Sequence, residues 1–263
     1  MINKNIIEKF AVIIPSCDKY SDLWEPFFNL FWKNWEDCPF KVYLLSNNLA
    51  YTHSKVFPIL IGEDVTWSMN IKKSLLQIEE DYIFLLLEDH FIIEQVNTKD
   101  ILSLASKMYS SGYNYLRFNS YLKPDIEIDS NHGKISRNSP YRTSTPFSLW
   151  RKDLLLKLLD DEETAWDFEI SGSDRSSQYD NFFSVNRNNY FKSIHGVKKG
   201  KWYRNSFKQI KKMGISVDVK NRNVMGRLEY IKNRIVDYAH LILIKFFPIK
   251  TKTIILNKIY KKR

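Results

Sequence analysis

Three short apolar runs constrain the fold of this chain more than any other feature: residues 10–15 (FAVIIP), 40–45 (FKVYLL) and 82–87 (YIFLLL). Each is rich in β-branched or aromatic residues and, apart from Lys41, is apolar rather than alternating. That pattern marks a strand covered on both faces, as in a parallel sheet. Between the runs the period changes. Residues 23–35 place Leu23, Phe27, Phe28, Leu30, Phe31 and Trp35 at helical intervals, and residues 67–78 (WSMNIKKSLLQI) read as a second helix. A third helix is expected over 98–111, capped by Asn97 or Thr98, leading to a short strand at 115–118. Residues 56–61 make a further strand whose Pro58 suits an edge. Strands alternating with helices predict an α/β fold, Rossmann-like, with a mostly parallel sheet and helices on both faces. Ligands of such sheets sit at the carboxyl ends of the strands.

Beyond residue 120 the pattern is less regular. A polar loop over 123–142 precedes TPFSLW and a Leu-rich helix at 152–159, with Arg142, Thr143 and Ser144 at their junction. The division expected is one domain over 1–224, whose pattern changes near 120, and a basic amphipathic helical segment over 225–263. Charge supports that division. Residues 192–263 hold 20 Lys and Arg against 3 Asp and Glu, whereas residues 1–191 hold 20 against 27. An acidic body with a basic tail predicts an anionic partner for the tail alone.

Cys17 and Cys38 lack metal-ligand spacing, the first ten residues lack the apolar core of a secretory signal, and Lys245 interrupts the longest apolar stretch, at 241–249. A cytoplasmic protein that does not cross a bilayer is therefore expected.

The sharpest chemical signal is Glu88-Asp89-His90, which follows directly on the most apolar run. Carboxylates at the end of a buried strand need a cation, a donor or water, and a divalent metal bridging to a diphosphate is a natural partner. An acidic pair at a strand that has simply reached solvent has the same appearance. Two further segments draw notice: AWDFEISGS (165–173), with Asp167 and Glu169, and SIHGVKKGKWY (193–203), with His195 before a glycine-flanked basic loop.

Taken together, the order of elements over residues 10–203 resembles the GT-A class of nucleotide-sugar glycosyltransferases, specifically bacterial enzymes of surface polysaccharide biosynthesis (capsule or lipopolysaccharide O-antigen). The resemblance implies a catalytic domain over 1–224, with a nucleotide-sugar donor bound by the half over 1–120 and a glycan or polyprenyl-linked saccharide acceptor by the half over 121–224, where Arg142, Thr143 and Ser144 would line the acceptor pocket. It places the nucleotide on the loop with Pro15, Ser16 and Asp18, and donor contacts at Trp67, Ser68 and Lys72. Glu88 and Asp89 would hold the diphosphate, through Mn2+ or Mg2+ with His195 completing the metal shell. Glu88-Asp89-His90 departs from the Asp-X-Asp pattern of the class, since Glu stands first and His last. Lys199 and Lys201 would neutralise the departing diphosphate. Residues 165–173 are similar to a Trp-X-Phe-Glu segment of related transferases, which implies Glu169 as general base, with Asp167 as the alternative if the segment is a strand.

The tail mixes its basic residues with Leu, Ile, Phe and Tyr, and Leu228, Ile231, Ile235 and Tyr238 or Ala239 fall on one face of a helix beginning near Met225. That composition suits an anionic membrane surface and a peripheral location on the inner face of the cell membrane. Binding of nucleic acid is the competing reading of the tail, and the acidic body argues against a nucleic-acid partner.

Overall fold

The computed structural model describes residues 4–119, 122–187 and 190–246. After a short helix α1 (Lys4–Ile7), the chain forms strand β1 (Phe10–Pro15), a 3-10 turn (Asp18–Leu23) and helix α2 (Trp24–Asn34). Strands β2 (Lys41–Ser46) and β3 (Val56–Leu60), helix α3 (Trp67–Leu75) and strand β4 (Tyr82–Leu85) complete the first half. A short β5 (His90–Ile92) and helix α4 (Thr98–Ser110) follow, then β6 (Tyr115–Arg117), β7 (Ile126–Glu127), β8 (His132–Lys134), β9 (Ser148–Arg151) and helix α5 (Lys152–Leu158). Residues 165–176 run as α6 (Ala165–Asp167), a π turn (Phe168–Gly172) and α7 (Ser173–Ser176). The remaining elements are β10 (Phe182–Val185), β11 (Ser193–His195), β12 (Val197–Lys198), β13 (Lys201–Trp202), α8 (Arg204–Lys212) and α9 (Arg227–Phe246).

Nine strands form one sheet in the order β3-β2-β1-β4-β9-β6-β10-β8-β7. β3 to β4 are parallel throughout, with Pro58 on the edge strand as its missing N–H requires. β9 then enters antiparallel between β4 and β6, and β6 and β10 are parallel again. The sheet is thus more mixed than the apolar runs suggest, because TPFSLW returns from the loop edge instead of crossing over by a helix. One consequence matters for function. The carboxyl ends of β1 to β4 and β6 share an edge with the segment that leads into β9.

The continuous apolar runs are explained by a core on each face. Phe10, Val12 and Ile14 of β1 pack on one side with α2 and α4 through Phe27, Phe31, Ile101 and Met108, while Ala11 and Ile13 pack on the other with Ile71 of α3 and Leu155 of α5. Every residue of β1 is buried. Asn97 caps α4, its side chain accepting from the Lys99 and Asp100 amides, and Thr66 caps α3 by accepting from the Met69 amide at 3.1 Å. The expected fold class, α/β with helices on both faces and a basic helix at the C-terminal side, is the one observed. Among the described residues no helix is long and apolar enough to cross a membrane, and the tail beyond Phe246 lies outside them.

Candidate functional site

The site is built where β4 leaves the sheet. After Leu85 the chain turns, with the His90 amide donating to the Leu87 carbonyl at 3.0 Å, and reverses into β5. β5 pairs antiparallel with β11 in a register that sets His90 opposite His195. Directly opposed residues share a face of the ladder, so the two imidazoles stack, with centroids 4.7 Å apart and planes 23° apart. His195 Nε2 lies 2.9 Å from Asp89 Oδ2, and the Gly196 amide donates to the Asp89 carbonyl at 2.6 Å. Glycine is required at 196 by close approach: a Cβ there would stand 2.1 Å from Cε2 of Phe91.

One donor atom from each of Asp89, His90 and His195 falls within 4.8 Å of the others. One carboxylate and two imidazoles form a set that suits Mn2+ or another first-row divalent ion. The electrostatics agree with that fit. Burial outweighs the neighbouring Asp89 carboxylate and holds His90 down to about 4, so its ring is neutral and keeps a lone pair. Burial opposes ionisation of Asp89, yet the His195 hydrogen bond and the two nearby imidazoles hold its carboxyl below the usual range. Glu88 behaves oppositely: burial, with Asp89 next to it, pushes it up to about 8. Its Oε1 accepts from Ser16 Oγ at 3.3 Å, and Ser16 in turn accepts from Trp24 Nε1 at 2.8 Å.

The loop after β1 reaches this cluster through Ser16. Asp18 faces elsewhere, its carboxylate accepting the amides of Asn47, Asn48 and Leu49 at 3.1 Å and so joining the loops after β1 and β2. Pro15 ends β1 opposite Leu45. The same loop is clamped from the far end of the chain. Arg222 bonds Asp22 with both Nε and Nη2 at 2.8 Å, donates to the Gly200 carbonyl at 3.1 Å and lies over the Tyr20 ring at 4.5 Å. Burial and the Glu88 charge raise the Cys17 thiol, which removes it as a thiolate nucleophile.

Glu169 occupies the same edge by way of the segment entering β9. Thr145, three residues before Ser148, donates its amide to Glu169 Oε1 at 2.6 Å and its hydroxyl at 2.9 Å, and Ser144 Oγ donates at 3.3 Å. Ser148 pairs with Leu85 at the end of β4, and Phe147 meets the His90 ring at 5.9 Å. All three donors converge on Oε1, and no described residue donates to Oε2. Burial raises this carboxyl above its ordinary range. The segment is helical, not a strand, so Asp167 points away: its carboxylate closes a capping box with Thr164 at the surface.

Most of the remaining sequence candidates have structural partners. Trp67 packs on Phe168 at 5.5 Å, Ser68 is fully buried with its amide on the Glu163 carbonyl, and Lys72 pairs with Asp161 at 2.5 Å. Lys201 is held by Glu229 at 2.8 Å, while Lys199 stands exposed at the tip of the β12–β13 hairpin. Arg142, fully buried, holds the Ser176 and Tyr179 carbonyls, and Thr143 bonds the Phe168 carbonyl, so only Ser144 of those three reaches Glu169. The sequence reading named His90 as the last residue of Glu88-Asp89-His90 without giving it a ligand role, and it did not place Arg222, which has no local signal.

Neither a protein-family model nor a curated protein sequence matches this chain. Among solved structures, residues 1–349 of TarS from S. aureus align at a TM-score of 0.48 and 12% identity, covering 90% of this chain and 75% of that one. HddC from Yersinia pseudotuberculosis aligns at 0.49 and 15%, covering 77% and 99%. The mannosyltransferase PcManGT from Pyrobaculum calidifontis, in complex with GDP-Man and Mn2+, aligns at 0.44 and 9%, covering 97% and 88%. At these scores the likenesses assign no activity to this chain, and the chemistry of its own site has to carry the function.

Proposed function

We propose that this chain is a nucleotide-sugar-dependent glycosyltransferase of the GT-A type, transferring a hexosyl group to a glycan or polyprenyl-linked saccharide in surface polysaccharide synthesis. The observation that carries the reading is a divided site on one sheet edge. A carboxylate–imidazole cluster of Asp89, His90 and His195 lies beside the loop after β1, and a separate buried carboxylate, Glu169, is reached through the segment that touches His90. Two sets of groups suit a transfer reaction with two substrates.

Asp89, His90 and His195 would hold the divalent ion, which when bound supplies positive charge to the donor diphosphate. Tyr20, Ser16 and the backbone of the 3-10 turn border the space for the nucleotide, and Arg222 fixes that turn. Glu169 holds one oxygen still with three donors and keeps the other for the acceptor hydroxyl. A buried carboxylate with a raised affinity for protons is suited to take the hydroxyl proton as the oxygen attacks the anomeric carbon. The leaving nucleoside diphosphate then meets Lys199 at the hairpin tip, with Lys201 available only on release from Glu229.

The test is a thermal-shift screen of UDP-, GDP-, CMP- and dTDP-sugars, each with Mn2+, Mg2+ or chelator, on the wild type, Asp89→Ala and Glu169→Gln. The expected pattern is stabilisation by one nucleotide class, lost in Asp89→Ala and kept in Glu169→Gln. No shift with any nucleotide overturns the transferase reading.

A further inference from the structure

Helix α9 carries an apolar face that nothing described covers. Leu228 is 84% exposed, Ile231 53%, Ile235 64%, Tyr238 67% and Ile242 39%. Their spacing of three and four residues sets them on one stripe. The opposite face is fixed to the protein body by polar contacts: Asp237 pairs with Lys198, Glu229 with Lys201 at 2.8 Å, and Tyr230 packs on Tyr203 with ring centroids 4.9 Å apart. Asn233, buried, donates to the Glu229 carbonyl at 2.8 Å. This is the reverse of an ordinary surface helix, which turns its apolar face inward. The helix is thus docked through its charged side, and the aliphatic stripe is displayed outward.

Charge selects the occupant. Both acids of α9 are spent on the inward pairs, whereas Arg227, Lys232 and Arg234 are exposed. At 100° per residue Lys232 falls on one flank of the stripe, and Arg227 and Arg234 on the other. Two copies meeting stripe to stripe would bring these cationic rims together, which opposes self-association. Nucleic acid offers the cations a partner but gives the aliphatic stripe nothing to bury against. An anionic bilayer satisfies both, taking the stripe below its headgroups and the flanking cations at their level.

We propose that α9 is an interfacial helix that holds this protein against an anionic lipid surface without crossing it. The pairs with Lys198 and Lys201 make the β12–β13 hairpin a strut between this helix and His195, two residues beyond which the hairpin begins. The site is then held at a set height over the lipid. The proposal does not depend on the transferase reading.

The experiment is sedimentation of the full chain with phosphatidylcholine vesicles and with vesicles of mixed phosphatidylcholine and phosphatidylglycerol. Ile231→Asp/Ile235→Asp, Lys232→Glu/Arg234→Glu and the exposed control Leu76→Asp are compared with the wild type, with unchanged thermal melting as the check on folding. Each methylene buried in lipid is worth a factor of about four in partitioning. The stripe variant is therefore expected to bind anionic vesicles more than about tenfold more weakly, the charge reversal to fall to the level of neutral vesicles, and Leu76→Asp to match the wild type. Failure of the wild type to sediment with anionic vesicles overturns the proposal, as does equal binding by the stripe variant. It is also overturned if the stripe variant turns a dimer into a monomer in the absence of lipid, or if duplex DNA is bound while vesicles are not.

Discussion

Removing the Arg222 guanidinium should cost more stability than any surface ion pair of this chain. Arg222 and Asp22 are each only 7% exposed at the side chain and are joined by two bonds of 2.8 Å. Arg222→Met keeps most of the aliphatic volume but strands the Asp22 carboxylate, and an uncompensated buried charge of this kind costs about 3–5 kcal/mol. Against a total stability of about 5–15 kcal/mol for a domain, that is a large share. Replacing both partners, Arg222→Met with Asp22→Leu, removes the stranded charge and should return to within about 1 kcal/mol of the wild type. The assay is urea unfolding of the four proteins of the cycle, followed by circular dichroism and by tryptophan fluorescence. Because the pair is shielded, the loss should persist in about 0.5 M salt. Lys9 and Asp81, each half exposed, give the contrast: Lys9→Met should cost about 0–1 kcal/mol. An Arg222→Met loss below about 1 kcal/mol, or one that salt abolishes, would refute the buried-clamp argument.

Glu169→Gln should lower kcat by about 10²–10⁴ while donor-induced stabilisation is retained, and a loss of donor binding with unchanged kcat would count against the base assignment. Since burial raises Glu169 from its ordinary 4.5, the acid limb of the wild-type rate profile should lie above that value, with rate rising as the carboxyl ionises. The linked stability has the opposite slope. The contribution of the protonated form is complete below 4.5 and is lost as pH rises through the folded-state value, so Glu169→Gln should gain on the wild type with rising pH. Gly196→Ala places a methyl 2.1 Å from the Phe91 ring and should cost about 1–3 kcal/mol. It should also part β11 from β5, so that Mn2+ no longer raises the melting temperature. A variant that melts and binds metal like the wild type would show that the two strands do not depend on that close approach.

Residues 10–15 and 82–87 announced strands buried on both faces, and Asn97-Thr98 announced a helix start, because each depends on a local pattern that a window of a few residues contains. The position of Glu88 and Asp89 was legible for the same reason: a charged pair ending an apolar strand of a parallel sheet falls at its carboxyl edge. The role of His90 was not, since its place in the cluster follows from the β5–β11 register, which joins residues more than a hundred positions apart. The choice between Asp167 and Glu169 also waited on the structure. Two residues of helix, little more than half a turn, separate the two carboxylates, sending one to a surface cap and one to the Thr145 donors.

The sequence by itself determined the layers of this protein, the apolar stripe of its last long helix and the edge on which charged groups gather, because periodicity and composition act locally. The tertiary structure alone decided three things. It set β9 antiparallel into the sheet, it brought Arg222 onto the turn after β1 from two hundred residues away, and it turned α9 so that charge faces the body and Ile231 and Ile235 face out. Each of these is a contest between distant groups for burial and pairing, and no local window of sequence contains both contestants.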